Sequence, residues 1–378
     1  MFYNIYTIIT KEKSRNMSIE NDLRKDGITV IQPLDTLSVT LIAKYVAEKY
    51  ISYFPFSRMR YNDLYAKIAR LNMYVANIPE GLAEASYFFK NDAIYFKDGL
   101  SIEKMQELAI HEFMHHYQQK KDKNNVLYRL GLCDYTNLKI HGNAINEAAV
   151  QLISSNILKN QTENVKYYGI AFPTVSPDYY SLLCNLINQM AYITGYDILV
   201  DSTLNANDKF KNCFIKLCGK KTYTTIENNF EKILELESQV SEYDSTLMLE
   251  DLSEREIRCI SLKVKKIKET INNTFIRTQN LIFTSYFDSE LKNLYSIQDI
   301  ENYREKLYTY KDYIGIVENY SYFNEYYINM MANLEVVRES IETTTSITIY
   351  KKSKFQIAFA IIANLFGRPF ETENAFDK

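Results

Sequence analysis

The composition of this 378-residue chain excludes several classes of protein. Its 44 Lys and Arg residues are balanced by 47 Asp and Glu residues, and the formal net charge of −3 excludes a strongly basic nucleic-acid binder. An apolar content of 46%, with 14% aromatic residues, excludes a chain that is mainly disordered. No apolar run reaches the roughly 18 residues that a membrane-spanning helix needs. The composition therefore predicts a globular protein of about two domains.

The cysteines and the N-terminus predict a cytoplasmic protein. The five cysteines are scattered and odd in number, which favours free thiols in a reducing compartment over a disulfide framework. Residues 1–16 lack the basic start, the long apolar stretch and the small-residue cleavage site of a signal peptide. Met17 is an alternative start, and residues 1–16 would then have no role. Export by a route that needs no signal peptide stays open.

The distribution of proline divides the chain into two parts. Five of the six prolines precede residue 178, and none follows until Pro369. A long stretch without proline permits long helices. We therefore predict an α+β domain over residues 17–200 and a mostly α-helical domain over residues 201–378, after an additional segment at residues 1–16.

The first part alternates strand-like and helix-like segments. Runs of β-branched and aromatic residues predict strands, and apolar residues at intervals of three or four predict helices. Turn-forming residues between two aromatic runs predict a hairpin. In chain order, the predicted elements are a strand at 27–32, helices at 37–53 and 63–71, a strand at 73–76, the hairpin at 85–96 and helices at 101–122 and 143–158.

Apolar stripes with helical spacing run through most of the second part. The clearest stripe comprises Ile260, Val264, Ile267, Ile271 and Phe275. Further stripes lie within residues 226–240, 303–317 and 320–340. They are too short and irregular for an extended coiled coil, and they predict a helical bundle or helical hairpin. A β-branched run at 344–350 and a closing helix at 355–366 complete the predicted elements.

The histidines are concentrated in one short region. All four lie between residues 111 and 141, and three belong to the sequence His111-Glu112-Phe113-Met114-His115-His116. On a helix, residues i and i+4 share a face, so His111 and His115 can direct imidazole nitrogens to one ion. Glu112 then lies close enough to take a proton from water without binding the ion. The spacing predicts a divalent metal site, and His116 is predicted to be a surface or core side chain.

A catalytic zinc site needs a third protein ligand and an open position for water. A third histidine six residues after His115 is excluded, because that position is Lys121 and Gln118 replaces the glycine of that pattern. A glutamate from a second helix is the alternative. The predicted helix that starts with Asn143 as its N-cap contains Glu147.

A family resemblance becomes visible at this second helix. The segment Ala144-Ile145-Asn146-Glu147-Ala148, which follows the His-Glu-x-x-His helix, resembles the Asn-Glu-x-x-x-Asp segment of thermolysin-like gluzincin metallopeptidases. The likeness covers residues 70–160, roughly, and rests on two short motifs. It implies that His111, His115 and Glu147 bind one zinc ion per chain, with Glu112 as the general base.

The resemblance also implies features around the ligands. It implies a zincin-like domain with a small mixed sheet, and Asn146 next to the ligand Glu147. An extended peptide substrate would pair with an edge strand formed by Ala93, Ile94, Tyr95 and Phe96. Where the family has an Asp that accepts a hydrogen bond from a ligating histidine, this chain has Gln151. An amide accepts the same bond without a charge, so zinc affinity or turnover would be lower unless another carboxylate substitutes.

Two further expectations follow from the same resemblance. The 32 residues from His115 to Glu147 exceed the gap in thermolysin, so a loop or hairpin is inserted between the two helices. An oxyanion also needs a donor besides the metal. Gluzincins often take a Tyr or His from the half of the domain after the glutamate, and the candidates here are His141, Tyr167, Tyr168, Tyr179 and Tyr180.

The residues together predict zinc-dependent hydrolysis of peptide bonds, with a peptide or protein as the substrate. Three alternatives stay open. The chain could be a bacterial effector protease, or a zinc-binding module with little or no hydrolysis whose helical domain binds a protein partner or forms an oligomer. It could also be a structural helical protein in which the motif is accidental.

Overall fold

A computed structural model describes residues 19–25, 27–54, 59–79, 83–123, 126–135, 141–248, 252–317 and 321–343. These residues form a mixed α+β structure with small sheets and a helical C-terminal region. None of the helices in these ranges is both long and apolar enough to cross a membrane. The predicted segments at 1–16, 344–350 and 355–366 lie outside the described residues.

The strands and helices are named in chain order. The strands are β1 (Thr29–Pro33), β2 (Asn72–Asn77), β3 (Ala85–Phe88), β4 (Ala93–Lys97), β5 (Gln119–Lys121), β6 (Leu127–Leu130), β7 (Cys133–Asp134), β8 (Glu163–Tyr167), β9 (Ile170–Thr174) and β10 (Ile316–Val317). The helices are α1 (Ile19–Lys25), α2 (Thr36–Tyr53), α3 (Tyr61–Ala69), α4 (Ile102–Tyr117), α5 (Asn143–Leu158), α6 (Ser181–Thr194), α7 (Tyr196–Leu204), α8 (Lys209–Cys218), α9 (Lys220–Leu247), α10 (Glu254–Glu290), α11 (Ile297–Tyr310) and α12 (323–343).

The first four strands form one sheet in the order β1-β2-β4-β3. β2 and β4 are parallel, and the two outer strands are antiparallel to their neighbours. The prediction that residues 93–96 form an edge strand is wrong, because β4, the second strand of the hairpin, lies between β2 and β3. β4 is therefore hydrogen-bonded on both sides, and β3 has the free edge.

A three-stranded meander, β5-β6-β7, joins the two helices of the predicted metal site. It occupies the position where an inserted loop or hairpin was expected. α4 ends at Tyr117, several residues before the predicted end at 122, because residues 119–121 pair with β6 instead of continuing the helix. The helix begins as predicted, since the Ser101 hydroxyl accepts a hydrogen bond of 3.2 Å from the Lys104 N–H.

The apolar face of α4 packs into the largest core. Ile110, Phe113 and Met114 are fully buried there against residues of α2 and the sheet. The Tyr50 hydroxyl of α2 donates to the Ile110 carbonyl at 3.1 Å, and its ring meets Phe113 edge to face. This packing leaves the face of α4 that carries His111 and His115 directed toward α5.

The described chain forms two compact units. The first runs to Tyr286 and includes Asp312–Ser321, and the second comprises Phe287–Lys311 and continues from Tyr322. The division falls inside α10, so one helix belongs to both units. The predicted domain boundary at residue 200 stays a prediction.

Candidate metal centre

Three buried side chains from two helices converge on one point. His111 and His115 lie one turn apart on α4, and Glu147 lies on α5. The two Nε2 atoms are 3.0 Å apart, and each is 3.5 Å from Glu147 Oε2. A tetrahedral ion with ligands at about 2.1 Å has ligand atoms about 3.4 Å apart, so these three atoms suit one such ion. Within the described residues, no other group of His, Cys, Asp or Glu is arranged in this way.

The polar atoms of this group fit a cation. Glu147 Oε2 is buried and has no hydrogen-bond partner, although a buried carboxylate normally has one. Burial raises the pKa of Glu147, but the nearby imidazoles of His115 and His111 outweigh it and hold that pKa below its usual range. Two imidazole nitrogens and one carboxylate oxygen are a donor set that zinc accepts.

A glutamine amide contacts the second ring nitrogen of each histidine. Gln151 Oε1 lies 2.8 Å from His111 Nδ1, at the position expected from the sequence. It accepts the Nδ1 proton in the tautomer that leaves Nε2 free to bind a metal. The Gln118 Nε2 lies 3.0 Å from His115 Nδ1, while Gln118 Oε1 is buried without a hydrogen-bond partner. Exchanging the oxygen and nitrogen positions of this amide lets the oxygen accept the Nδ1 proton, which gives His115 the same tautomer. Gln118 is absent from the predicted site residues, although its place three residues after His115 is a usable signal.

Asn146 supports the site through the β6–β7 turn. Its Oδ1 accepts a hydrogen bond from the Leu132 N–H at 3.0 Å. The preceding Gly131 has a φ of +55°, and a Cβ at this position would overlap Asn146 Oδ1 and Gln118 Oε1. The absence of a side chain at Gly131 therefore allows the turn to approach both Gln118 and α5.

Glu112 lies beside the three ligands but faces the sheet. It is 4% exposed, and its Oε2 accepts a hydrogen bond of 2.6 Å from the Tyr87 N–H of β3. Burial raises the pKa of Glu112 to about 7, against a lowering effect of His111. The carboxyl can therefore take up or release a proton near neutral pH, which is the property that a general base requires.

The start of α5 depends on a distant glutamate. The N-cap is Gly142, in the left-handed conformation, so the prediction of Asn143 as the N-cap is wrong. Glu231 of α9 instead accepts a hydrogen bond of 3.0 Å from the Ala144 N–H. Asn143 enters the first turn because glycine adopts the positive φ easily and a carboxylate from another helix takes over the capping role.

A cavity of about 440 Å³ opens next to His111 and Glu112, and Tyr179 and Tyr180 form part of its wall. The Tyr180 ring stacks on His111, with centroids 6.2 Å apart. Burial raises the pKa of Tyr180 well above its usual value, and the charges of Glu147 and Glu112 add to this effect. Tyr180 is thus a neutral phenol close to the ligands. Tyr179 lines the same wall and donates a hydrogen bond to Glu84.

The other predicted donors lie elsewhere. His141 pairs through its backbone with Asp134, and the Tyr167 hydroxyl donates to the Pro177 carbonyl at 2.9 Å. The Tyr168 carbonyl accepts a hydrogen bond of 2.8 Å from Asn272. None of these three described residues belongs to the cavity wall. The structure therefore brings two of the five candidate donors, Tyr179 and Tyr180, to the wall of the cavity beside His111.

Tyr87 was not predicted as part of the site, yet it connects the sheet to both sides of the motif. Its backbone N–H holds Glu112, while its hydroxyl donates to Asp92 Oδ1 at 2.7 Å. The same hydroxyl lies 3.0 Å from Nδ1 of His116, which is half-buried. An aromatic residue in a predicted hairpin next to the motif is the only sequence signal for this role.

Comparison of the chain with protein-family models gave no match. Comparisons with curated proteins and with solved structures also gave no match.

Proposed function

We propose that this protein is a metal-dependent peptidase, with His111, His115 and Glu147 holding one zinc ion per chain. The observation that carries the proposal is the convergence of these three ligand atoms beside a buried Glu112, on the wall of an open cavity. In this proposal the first part of the chain is a zincin-like domain of the gluzincin type, as the sequence resemblance implies. The substrate is a peptide or protein.

The chain's own residues have distinct roles in the proposed reaction. When bound, a zinc ion acidifies water to a pKa of about 7 and polarises a carbonyl group. Glu112 takes the proton of the attacking water and passes it to the leaving amine. The Tyr87 N–H orients that carboxylate. The phenol of Tyr180, stacked on His111, is the donor best situated for an oxyanion.

The free edge of β3 is the proposed site of substrate pairing. The Glu84 carbonyl bonds to the Lys97 N–H of the neighbouring chain segment, and the Tyr87 N–H points the other way, to Glu112. Because successive residues of a strand direct their backbone groups to opposite sides, Ala85 faces the same free side as Tyr87. Ala85 also lines the cavity. An extended peptide can therefore add to β3 there, instead of to β4 as the sequence suggested.

Metal content and cleavage test the proposal together. The purified protein, expressed without a His tag, is expected to contain one zinc per chain by mass spectrometry, and the His115→Ala variant none. Wild-type protein is expected to cleave members of a random peptide library. The Glu112→Gln variant is expected to keep the zinc and lose at least about 100-fold in rate, as expected for loss of a general base. Absence of zinc, or equal cleavage by wild type and Glu112→Gln, would refute the proposal.

A metal-binding module without hydrolysis is the second candidate. The observation that favours it is that both Nδ1 supports, Gln151 and Gln118, are uncharged. In this case the helical part of the chain would bind a protein partner or form an oligomer. Stoichiometric zinc without cleavage of any library peptide, by wild type or Glu112→Gln, would favour this candidate.

A further inference from the structure

The cavity beside the three ligands has a size suited to part of a peptide. Its volume of about 440 Å³ lies within the range of about 300–1,000 Å³ that ligand sites have. Its wall is built by α4, by α5 and by the segment before α6. All of these elements belong to the first compact unit.

The charges on this wall are predominantly negative. Apart from Glu112, the described wall residues carry four carboxylates, at Glu84, Glu107, Glu163 and Asp178. They carry one ammonium group, that of Lys104. Its Nζ lies 4.0 Å from Glu107 Oε2 and 5.2 Å from the centre of the Tyr179 ring, so Glu107 already compensates its charge. A field of this sign attracts cations and repels acidic side chains.

A second feature of the wall points to a ligand that forms hydrogen bonds. Ser154 lies on α5, three residues after Gln151 and so on the same face of the helix. It is 2% exposed, and its hydroxyl has no hydrogen-bond partner among the described residues. A buried hydroxyl without a partner is costly, and a ligand that donates a hydrogen bond removes that cost. Glu84, which accepts from Tyr179, has further acceptor capacity at the cavity rim.

We infer that this cavity receives a Lys or Arg side chain of the substrate, next to the bond that is cleaved. The inference rests on the proposed peptidase function and adds the substrate class. Both side chains combine a positive charge with several donors and no acceptor, which matches a wall of carboxylates and an unpartnered hydroxyl. A second metal ion is not the better ligand, because the described carboxylates do not form a group close enough to share one.

Three peptide libraries separate charge from size. Each is randomised except for one fixed residue, which is lysine, acetyl-lysine or glutamate. Binding to the zinc-loaded Glu112→Gln protein is measured by fluorescence anisotropy, and cleavage by the wild type is measured by mass spectrometry. We expect the lysine library to bind about fivefold or more tightly than the acetyl-lysine library, as one or two ion pairs would produce. The glutamate library should bind most weakly, and 0.5 M salt should reduce the differences.

Substitutions of wall residues test which carboxylates cause the expected preference for lysine. In a Glu84→Gln/Glu107→Gln double variant, the preference for lysine should fall to about twofold or less, because two carboxylates are neutralised without a change of size. Glu103→Gln is the matched control, since Glu103 lies on the same helix but outside the cavity wall, and it should keep the full preference.

The outcomes distinguish this inference from the proposed function. Equal binding of the lysine and acetyl-lysine libraries, or a preference that survives in the double variant, would overturn the inference. If cleavage is seen without such a preference, the peptidase function stands and the inference fails. If the lysine preference in binding is present but nothing is cleaved, the cavity assignment stands and the peptidase function fails.

Discussion

Gln151 and Gln118 determine how the two histidines present their Nε2 atoms. Each amide meets an imidazole at Nδ1, at 2.8 Å and 3.0 Å respectively. In the family that the sequence resembles, an Asp does this for one of the ligands. A neutral acceptor orients the ring as a carboxylate does, but it adds no charge and makes the ring less basic. The individual residues thus predict a correctly shaped site of moderate metal affinity.

Replacing Gln151 tests this role directly. Gln151→Leu removes the acceptor from His111 Nδ1 and is expected to weaken zinc binding about 10- to 100-fold, whereas Gln151→Glu is expected to strengthen it. Competition with a chromogenic chelator measures both. Gln106→Leu, on the same helix as His111, removes only a bond to the Leu41 carbonyl and should leave the affinity unchanged. Wild-type affinity in Gln151→Leu would contradict the assigned role.

Glu237 on α9 makes the protein's stability depend on pH. Burial raises the pKa of Glu237 from 4.5 to about 7. Between these values the folded protein binds a proton that the unfolded chain does not, so the stability falls as the pH rises. Glu237→Gln should therefore raise the free energy of unfolding at pH 8 by up to about 3 kcal/mol, with no change at pH 4. Urea denaturation at the two pH values measures this.

The neighbouring Glu235 supplies the control for that experiment. Glu235 is exposed on the same helix, so Glu235→Gln should change the stability little at either pH. An equal gain at pH 4 and pH 8 in Glu237→Gln would show that the carboxyl charge is not the cause.

At the scale of elements, the two helices that carry the candidate ligands are held by segments distant in sequence. The β5–β7 meander leads from the end of α4 to the start of α5, and its Gly131 turn packs against Gln118 and Asn146. Glu231 of α9 caps the start of α5. Because Glu147 lies in the second turn of α5, these contacts fix the position of Glu147 relative to His111 and His115.

Gly131→Ala tests the contribution of the meander. Gly131 has a φ of +55°, and a Cβ there would overlap Gln118 and Asn146. The substitution should therefore lower the melting temperature and weaken zinc binding. Gly99→Ala is the matched control, since Gly99 also has a positive φ, +82°, but a Cβ there meets nothing within 4 Å. It should cost about 1–3 kcal/mol of stability from backbone strain alone, without affecting zinc. Equal zinc affinity in both variants would contradict the role of the turn.

At the scale of the whole molecule, the chain leaves the first compact unit near Phe287 and returns to it at Asp312. A network of buried polar side chains is hydrogen-bonded to the segment that begins at Asp312. Asn185 of α6 donates to the Tyr313 carbonyl at 2.8 Å, and Gln279 of α10 donates to Asn185 Oδ1. The Gly315 N–H in turn donates to Gln279 Oε1 at 3.3 Å. The first unit is therefore completed by residues that follow part of the second unit in sequence.

Gln279→Met tests this network with little change in volume. It leaves Asn185 Oδ1 and the Gly315 N–H with one hydrogen bond fewer in a buried position, and should cost about 1–3 kcal/mol of stability. Amide hydrogen exchange should become faster in residues 314–317. Gln239→Met, on the less buried surface of α9, is the control and should change neither quantity. Unchanged exchange in Gln279→Met would mean that other contacts hold the segment.

The sequence by itself determined the features that depend on local periodicity. The spacing of apolar residues predicted α2, and helix-start signals predicted α4 and α5, each to within about five residues. The i, i+4 spacing of His111 and His115 predicted their shared face, and the position of Gln151 predicted its contact with His111. These features depend on residues within one or two helical turns, so a local pattern carries enough information.

Only the tertiary structure decided which segments meet. β4 lies inside the sheet because the chain re-enters between β2 and β3, and a hairpin pattern alone cannot specify that order. Tyr180 and not Tyr168 contacts His111, and Glu231 caps a helix that begins 88 residues earlier in the chain. The physical reason is that such contacts depend on chain paths between distant elements, and many different paths are compatible with the same local propensities.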